Sequence, residues 1–384
     1  MRGLLACLLS LTTFGAMLAA ASRTAAAGDA ARSVTPAAAA AAVLPGATLR
    51  FPRDYGSHPQ FGVEWWYVTG WLSRDGHPLG FEVTFFRVHH SLDMPNPSAF
   101  APEQILIAHV AISDPQRGRL WQDQRIRRAG LGLVQAAQTD TDVLIDGWQL
   151  RRHGQGTLSS YQASVTAAQF TLQLTLTDAH APQLNGLQGF SQKGPPLRSA
   201  SYYYSEPHLQ VSGWVTLNGQ RRRVGGEAWL DHEWASEYLD PAAAGWDWVG
   251  LNFSDGGSLM AFEIRDRQGR HYWGGGTLVD AAGHAQILTA SQVQFTPVTT
   301  WRSPRSGVRY PVVERVRAGA DEWVLEPLMA DQEFDARQSV GAFYWEGAVT
   351  GYAAGQAPGP GRPGTPAARG YLELTGYDRP LSLR

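Results

Sequence analysis

The residues best suited to chemistry lie in residues 225–256, where four tryptophans alternate with acidic residues and a histidine. The centre of this stretch is Asp231-His232-Glu233-Trp234. Aromatic rings are unfavourable in water and carboxylates are unfavourable out of it, so a segment dense in both indicates a site or the seam of a site. As a strand, the segment places Asp231 and Glu233 on one face and His232 and Trp234 on the other.

His232 beside Trp234 can perform acid/base chemistry next to a π face. Adding water to an isolated alkene needs a proton donor, shelter for a carbocation and a directed water. A carboxylic acid such as Asp231 or an imidazolium could donate the proton, and indole faces could stabilise the cation. The alternative is that His232 and Asp231 form a hydrogen-bonded seam between two domains. Buried polar groups at interfaces usually have a hydrogen-bond partner and no further role.

Other chemistries find no support in the sequence. The spacing around His232 does not match a His-Glu-x-x-His zinc motif and no second histidine is near, so we expect no metal and no cofactor. No Gly-x-Ser-x-Gly motif supports a serine hydrolase. Cys7 is the single cysteine, which argues against thiol catalysis in the mature chain. A net charge of −2 without a basic run predicts no nucleic-acid partner.

A second aromatic cluster is Glu64-Trp65-Trp66-Tyr67. Strand alternation sends Glu64 and Trp66 to one face and Trp65 and Tyr67 to the other. If the first face lines a barrel interior, a carboxylate lies under an indole, which would raise its pKa. The alternative is a plug at a barrel end, in which Trp66 packs and Glu64 caps backbone amides.

Further aromatic residues complete a set of expected ligand contacts. Aromatic belts that line a cavity suit a long apolar ligand with few polar contacts. The predicted ligand-binding residues are Glu64, Trp65, Trp66, Tyr67, Tyr203, Trp229, Trp246, Asp247 and Trp248.

The elements that must position these residues are strands. Residues 169–177 alternate apolar and polar side chains, which indicates an antiparallel sheet with one buried face. Asp-Gly and Asn-Gly pairs recur as hairpin turn signals. Helical periodicity is limited to short pieces near residues 129–137 and 331–338. The sequence therefore predicts an all-β protein.

A weak internal repeat indicates two domains. Residues 62–66 resemble residues 245–249, and each segment runs to an Asp-Gly turn and then into a strand that ends in arginine, at Arg87 or Arg265. Chance similarity between two hairpins is the alternative. We expect two β-barrels in tandem.

The N-terminus resembles a processing signal. Residues 1–27 have a basic start, an apolar run and small residues for cleavage, so we predict a signal peptide and export to the periplasm or beyond; a membrane anchor is the alternative. Residues 28–45 are an alanine-rich linker by composition. The predicted barrels are residues 46–222 and 223–384, in a protein that we expect to be a monomer.

Several long motifs carry a resemblance to a known family. The segments FPRDY at 51–55, EWWYVTG at 64–70, EAWLDHEW at 227–234 and YWEG at 344–347 resemble motifs of the AttH-like, lipocalin-like secreted proteins. The resemblance covers residues 50–380 and implies two lipocalin-like antiparallel β-barrels in tandem. The family is similar to carotenoid 1,2-hydratase, and many of its members are labelled as secreted hydrolases.

The resemblance also implies functional residues. In the hydratase members a histidine and a tryptophan matching His232 and Trp234 matter, together with a downstream Tyr-x-Asp pair. The matching strand here, residues 259–264, offers Glu263 but no tyrosine. The predicted catalytic residues are Asp231, His232, Trp234 and Glu263.

Two functions remain open from the sequence. The first is a hydro-lyase of the carotenoid 1,2-hydratase type that adds water to an apolar, isoprenoid or lipid-like ligand. The second is a noncatalytic carrier of such a ligand, with an envelope transport partner. We expect that His232→Ala leaves the fold intact and removes ligand-dependent function.

Overall fold

The computed structural model describes residues 40–89, 104–129, 132–154, 159–178, 180–359 and 363–380. All of them belong to one compact unit, Ala38–Arg384. The predicted signal peptide and most of the predicted linker lie outside the described residues. No helix among those residues is long and apolar enough to span a membrane.

The described chain is built almost entirely from strands. The first group is β1 (Val63–Arg74), β2 (His77–His89), β3 (Gln104–Asp114), β4 (Arg119–Arg128), β5 (Val134–Ala136), β6 (Asp142–Ile145), β7 (Trp148–His153), β8 (Ser159–Thr166), β9 (Phe170–Asp178), β10 (Gln183–Leu184), β11 (Phe190–Gln192), β12 (Ala200–Leu217) and β13 (Gln220–Ala235). The second group is β14 (Ala243–Phe253), β15 (Ser258–Asp266), β16 (His271–Val279), β17 (Ala285–Leu288), β18 (Val293–Arg302), β19 (Arg309–Ala318), β20 (Asp321–Pro327), β21 (Glu333–Asp335), β22 (Phe343–Ala353) and β23 (Ala368–Leu374). Two 3-10 turns, Arg53–Tyr55 and Ala290–Gln292, are the helical elements of the described residues.

The strands form two antiparallel sheets. The first has the order β4-β3-β2-β1-β13-β12-β9-β8-β7-β6-β5, with β10 and β11 paired to β12. The second has the order β17-β16-β15-β14-β23-β22-β20-β19-β18, with β21 paired to β22. Each sheet is barrel-like, which confirms the predicted fold class of two tandem lipocalin-like β-barrels.

Predicted turns account for several hairpins. Asp75-Gly76, Asp146-Gly147 and Asn218-Gly219 each have positive φ at both residues, as the tight hairpin turns that match strand twist require. By contrast, the stretches near 129–137 and 331–338 contain the short strands β5 and β21 rather than helices. Their apparent helical period is overridden by pairing with β6 and β22.

Alternation along the strands creates four apolar clusters among the described residues, of which the smallest joins Ala111 and Leu120 of the first sheet to Phe334 and Tyr344 of the second. One core lies inside the first sheet and a second inside the other. A third cluster contains side chains of both sheets, including Tyr67 and Trp229 from the first and Trp248 and Phe262 from the second. The outer face of each barrel is therefore buried against the other barrel at this interface.

The division between the sheets falls later than the sequence predicts. β13 pairs with β1 along its length from Gly225 to Ala235, so this strand belongs to the first sheet. The second sheet begins at Ala243. The predicted boundary at residues 222–223 is corrected to the segment between Ala235 and Ala243, because the long hairpin of β12 and β13 keeps the strand in the first barrel.

The repeated hairpins occupy equivalent places in the two sheets. β1 pairs with β2, and β14 pairs with β15. Glu64 and Arg87 form an ion pair at 2.7 Å in the first hairpin, and Asp247 and Arg265 form one at 3.3 Å in the second. The arginines that end the repeated strands thus each neutralise an acidic residue of the preceding strand.

Candidate ligand cavity between the two sheets

A cavity opens at the interface of the two sheets. Aromatic side chains from both sheets form much of its wall: Trp65, Tyr67, Phe86, Tyr203, Tyr238, Trp246, Trp248, Phe262 and Tyr344. The space open to the centre of a water molecule is about 120 Å³, many times the ~10–15 Å³ that one water needs. Such a wall suits an apolar ligand held by few polar contacts.

Asp231 and Tyr203 form the central polar pair of this wall. They lie on neighbouring strands, β13 and β12, and the Tyr203 hydroxyl donates to Asp231 Oδ2 at 2.5 Å. The indole N–H of Trp248 donates to the same hydroxyl at 3.0 Å. Trp248 belongs to β14, so this chain of hydrogen bonds links the two sheets and fixes the tyrosine proton toward Asp231.

The other oxygen of Asp231 is also held in place. Oδ1 accepts hydrogen bonds from Ser205 at 2.5 Å and from the Trp229 indole at 2.6 Å. Burial raises the pKa of Asp231 to about 7, although the hydrogen bonds from Ser205, Tyr203 and Trp229 oppose the rise. A carboxyl group with this pKa can give and take a proton near neutral pH.

Further carboxyl groups reach the cavity from both sheets. Glu233 lies two residues after Asp231 on β13, while Glu346 and Glu373 are cross-strand neighbours on β22 and β23. Burial raises the pKa of Glu373 to about 8, and a hydrogen bond with Trp246 opposes the rise. The pKa of Glu346 is raised well above its ordinary value, first by burial and then by neighbouring acids. The cavity therefore holds carboxyl groups that keep their protons at neutral pH.

Lys193 supplies a positive charge at the same wall. Its Nζ lies 3.0 Å from Glu233 Oε1 and 3.9 Å from the ring centre of Phe262. It also lies 4.8 Å from the ring centre of Tyr203. These contacts hold the ammonium group at the cavity rather than in bulk solvent.

His232 and Trp234 lie inside the first sheet, on the face of β13 opposite to the cavity. His232 is fully buried; its Nε2 is 2.9 Å from Glu64 Oε1 and its Nδ1 is 3.0 Å from the Tyr204 hydroxyl. Its ring stacks on Trp66 at 4.6 Å. Burial lowers the pKa of His232 to about 4, although Glu64 opposes the shift, so the ring is neutral at pH 7.

Glu64 and Trp66 also point into the first core. Burial alone would raise the pKa of Glu64, but hydrogen bonds from His232 and His58 and the charge of Arg87 hold it well below its ordinary value. The sequence predicts ligand contacts for Glu64 and Trp66 and catalysis for His232. None of the three lines the cavity, because alternation turns those side chains away from it; their predicted roles stay predictions.

One group among the described residues has the spacing of metal ligands. The ligand atoms of His58, Glu64 and His232 lie within 4.8 Å of one another. Both histidines already contact Glu64 Oε1, at 2.7 Å for His58 Nδ1 and 2.9 Å for His232 Nε2. Arg87 lies 2.7 Å from Oε2 and would repel a cation. The group fits a hydrogen-bonded cluster better than a metal site.

Asp247 and Glu263 occupy the corresponding interior of the second sheet. They are cross-strand neighbours on β14 and β15. Asp247 pairs with Arg265 and accepts a hydrogen bond from Tyr377 at 3.1 Å, while Glu263 Oε2 accepts one from the backbone of Phe295 at 2.9 Å. Burial raises the pKa of Asp247 to about 6, against the effect of Arg265. Neither side chain lines the described cavity, so the predicted ligand contact of Asp247 and the predicted catalytic role of Glu263 stay predictions outside it.

Comparison with known proteins agrees with the motifs. The chain matches the AttH-like family over residues 42–377. The chain belongs to the AttH-like family. The crystal structure of a candidate AttH protein from Nitrosomonas europaea shares 50% sequence identity, covers 88% of this chain and 99% of its own, and superposes with a TM-score of 0.80.

A more distant structure shares the fold of this AttH-like protein. The kievitone hydratase from Nectria haematococca is 14% identical, covers 87% of this chain and 95% of its own, and has a TM-score of 0.63. No curated protein matches this chain.

The cavity of the AttH-like protein contains part of the predicted site. Six predicted residues line it, namely Trp65, Tyr67, Tyr203, Asp231, Trp246 and Trp248. Trp229 lies behind them and holds Asp231. The sequence prediction missed Phe86, His109, Lys193, Phe262, Tyr344, Glu346 and Glu373. A signal for three of them was present, because Tyr344, Glu346 and Glu373 lie in segments that carry the family resemblance, YWEG at 344–347 and GYLELTGY at 370–377.

Proposed function

We propose that this AttH-like protein binds an apolar, isoprenoid or lipid-like molecule in the cavity and adds water across one of its alkenes. The observation that carries this proposal is the Tyr203–Asp231 pair, an acid/base group with a pKa near neutrality set in an aromatic wall. An apolar wall binds the ligand, and a proton-exchanging pair within it can act on a ligand atom.

Protonation of the alkene begins the proposed reaction. When Asp231 is protonated its hydrogen bond with Tyr203 reverses, so that the carboxyl group donates to the phenol oxygen and frees the phenol proton. The Tyr203 hydroxyl then gives this proton to one alkene carbon and takes the proton of the Asp231 carboxyl group. The pKa of Tyr203 is raised well above its ordinary value by burial and by the charges of Asp231 and Glu233, so the phenol does not remain ionised. The carbocation that forms on the second carbon lies among indole and phenol faces, which stabilise it.

Addition of water completes the reaction. The oxygen of a water molecule bonds to the carbocation, and the proton that this water loses goes to the carboxylate of Asp231. The ligand gains one hydrogen and one hydroxyl group, and both protein groups return to their starting forms. None of these reaction steps uses a cofactor.

The distant relative supports the proposal only by analogy of fold. The kievitone hydratase is a hydratase by name and has the same architecture at low identity, which assigns no activity to this chain. The proposal also includes export, on the basis of the signal-like sequence of residues 1–27.

Incubation of the purified protein with an isoprenoid extract tests the function. Bound and released lipids are then compared by mass spectrometry with those from Tyr203→Phe, which keeps the ring and removes the hydroxyl. We expect a lipid that gains the mass of one water with the unaltered protein and not with the variant. Recovery of bound lipid with unchanged mass would contradict the proposed hydratase activity and favour a noncatalytic lipid carrier.

A further inference from the structure

A layer of polar side chains lies between the two sheets, between the cavity and a second cleft. This second cleft lies at the same interface and is lined by Trp71, Trp229, Arg369 and several glycines. The side chains that we call the polar layer are Tyr67, Thr69, Glu82 and Ser113 from the first sheet and Glu346 and Tyr371 from the second.

Every member of the polar layer is buried and carries an oxygen without a hydrogen-bond partner. The atoms that meet no partner within the described part of the chain are Tyr67 Oη, Thr69 Oγ1, Glu82 Oε2, Ser113 Oγ, Glu346 Oε1 and Tyr371 Oη. Glu82 faces Glu346, and Tyr371 faces Ser113. Glu346 lies close enough to Tyr67 and Glu82, and Tyr371 close enough to Ser113, for these neighbours to influence the pKa of Glu346 and of Tyr371, but the oxygens named above do not meet the distance and angle of a hydrogen bond.

Such a concentration of unsatisfied atoms requires a physical account. A buried polar atom without a partner loses its hydration and gains nothing in return, and six of them would offset a substantial part of the stability of a domain. Native proteins satisfy such atoms with ordered water where the site is polar and has room for it.

The polar layer connects the two openings. Thr69 and Tyr371 line the second cleft, while Tyr67 and Glu346 line the cavity. Glu82 lies between these two groups, because it is the cross-strand neighbour of Thr69 at the second cleft and faces Glu346 at the cavity. Oxygens that can accept or donate hydrogen bonds therefore run from one opening to the other.

We infer that the polar layer binds a chain of ordered water molecules, which carries water from the second cleft to the cavity and reaches it at Glu346. Hydration consumes one water in each turnover, and the polar layer reaches the cavity at Glu346, a carboxyl group that can hold such a water. The use of the water chain rests on the proposed hydration; the binding of water in the layer does not.

The acidic members of the layer strengthen this inference. Burial raises the pKa of Glu82 to about 7, although a hydrogen bond from Thr84 opposes the rise. Glu346 is faced by Glu82, Glu373 and Tyr67, and its pKa lies well above the ordinary value. Two facing carboxyl groups that cannot both ionise share a proton. A protonated carboxyl group can donate to water as well as accept from it.

Infrared spectroscopy of the full-length protein tests the water chain without any ligand. We expect a carbonyl band of protonated carboxyl groups at neutral pH that weakens in Glu346→Gln and in Glu82→Gln. Glu322→Gln, at a less buried ion pair with Arg315, is the matched control and leaves the band unchanged.

Transfer of the protein into heavy water then measures how fast solvent reaches the polar layer, because the carboxyl protons exchange for deuterium and the carbonyl band shifts. We expect the band to shift within minutes while the backbone amides of β1 and β2 stay protected, and to shift several-fold more slowly in Thr69→Val. A band that does not shift over hours would show a sealed layer and overturn the inference. A band that shifts only together with the amides would overturn it as well, because exchange would then require unfolding.

The result separates this inference from the proposed function. If the protein exchanges as expected but never hydrates a lipid, the proposed reaction fails and the water site stands. If it hydrates a lipid with a sealed layer, the water chain fails and the reaction stands.

Discussion

Asp231 and His232 are consecutive residues of β13 that serve opposite faces of the strand. Asp231 Oδ2 accepts a hydrogen bond from Tyr203 at 2.5 Å at the cavity wall. His232 Nε2 lies 2.9 Å from Glu64 Oε1 in the interior of the first sheet. One carboxyl group is therefore available to a ligand, whereas the imidazole is part of a buried cluster.

The position of His232 in a buried cluster replaces the expectation from the sequence: its substitution should affect stability rather than ligand chemistry. His232→Ala leaves Glu64 without one of its hydrogen-bond partners and removes a ring that packs on Trp66. We expect a loss of roughly 2–5 kcal/mol in the free energy of unfolding, measured by urea denaturation. His284→Ala, on an exposed turn, is the control and should change stability by less than about 0.5 kcal/mol. An unchanged unfolding midpoint in His232→Ala would contradict the structural role.

Stability is expected to fall as the pH rises from about 6.5 to 8. Burial raises the pKa of Glu82 to about 7 and that of Glu373 to about 8, from an ordinary value of 4.5. In this window the folded protein holds protons that the unfolded chain has released, so raising the pH favours unfolding. The buried histidines His109 and His232 oppose this trend only in part: they are neutral in the folded protein, and in the unfolded chain, at their ordinary pKa of 6.5, they have already lost about half of their protons at the start of the window.

Thermal unfolding at pH 6.5 and at pH 8 measures this loss of stability. Each carboxyl group with a raised pKa lowers the free energy of unfolding by about 1 kcal/mol between pH 6.5 and pH 8. Glu82→Gln should reduce this loss by the contribution of one group. Glu322→Gln should leave the dependence as it is. A melting temperature that is constant or higher at pH 8 would count against protonated carboxyl groups at the interface.

The indole of Trp248 is expected to support the reaction more than binding. Trp248→Phe keeps an aromatic wall but removes the N–H that donates to the Tyr203 hydroxyl at 3.0 Å. Losing one neutral hydrogen bond of about 1.4 kcal/mol lowers the hydration rate about tenfold, whereas the affinity for a fluorescent long-chain fatty acid should change little. Trp214→Phe, at an exposed tryptophan, is the control for ring substitution. Equal losses of binding and rate would indicate a purely structural role for the indole.

Much of the fold follows from patterns in the sequence. Alternation in residues 169–177 and the Asp-Gly turns predict antiparallel hairpins, and β9 with the turns at Asp75 and Asp146 confirms them. The repeat predicts two hairpins that end in Arg87 and Arg265, which occupy equivalent places. The boundary between the sheets was predicted too early in the chain, because the turn signal at Asn218-Gly219 marks a hairpin within the first sheet rather than its end.

The candidate site could be predicted only in part. Alternation correctly separates Asp231 from His232, but it cannot say which face meets a second sheet. That choice depends on packing between strands distant in the sequence, such as β13 with Asp231 and β23 with Glu373. Lys193 lies in an irregular segment after β11 and has no periodic signal at all.

The most direct test of the proposed reaction compares Asp231→Asn with the unaltered protein in heavy-oxygen water. We expect the unaltered protein to produce an alcohol that carries the heavy oxygen, and Asp231→Asn to be slower by about 10²–10⁴-fold while it still binds the lipid. Asp321→Asn, at an exposed position at the start of β20, should react as the unaltered protein does. Equal label incorporation by Asp231→Asn, or no incorporation by any form that binds lipid, would contradict hydration by Asp231.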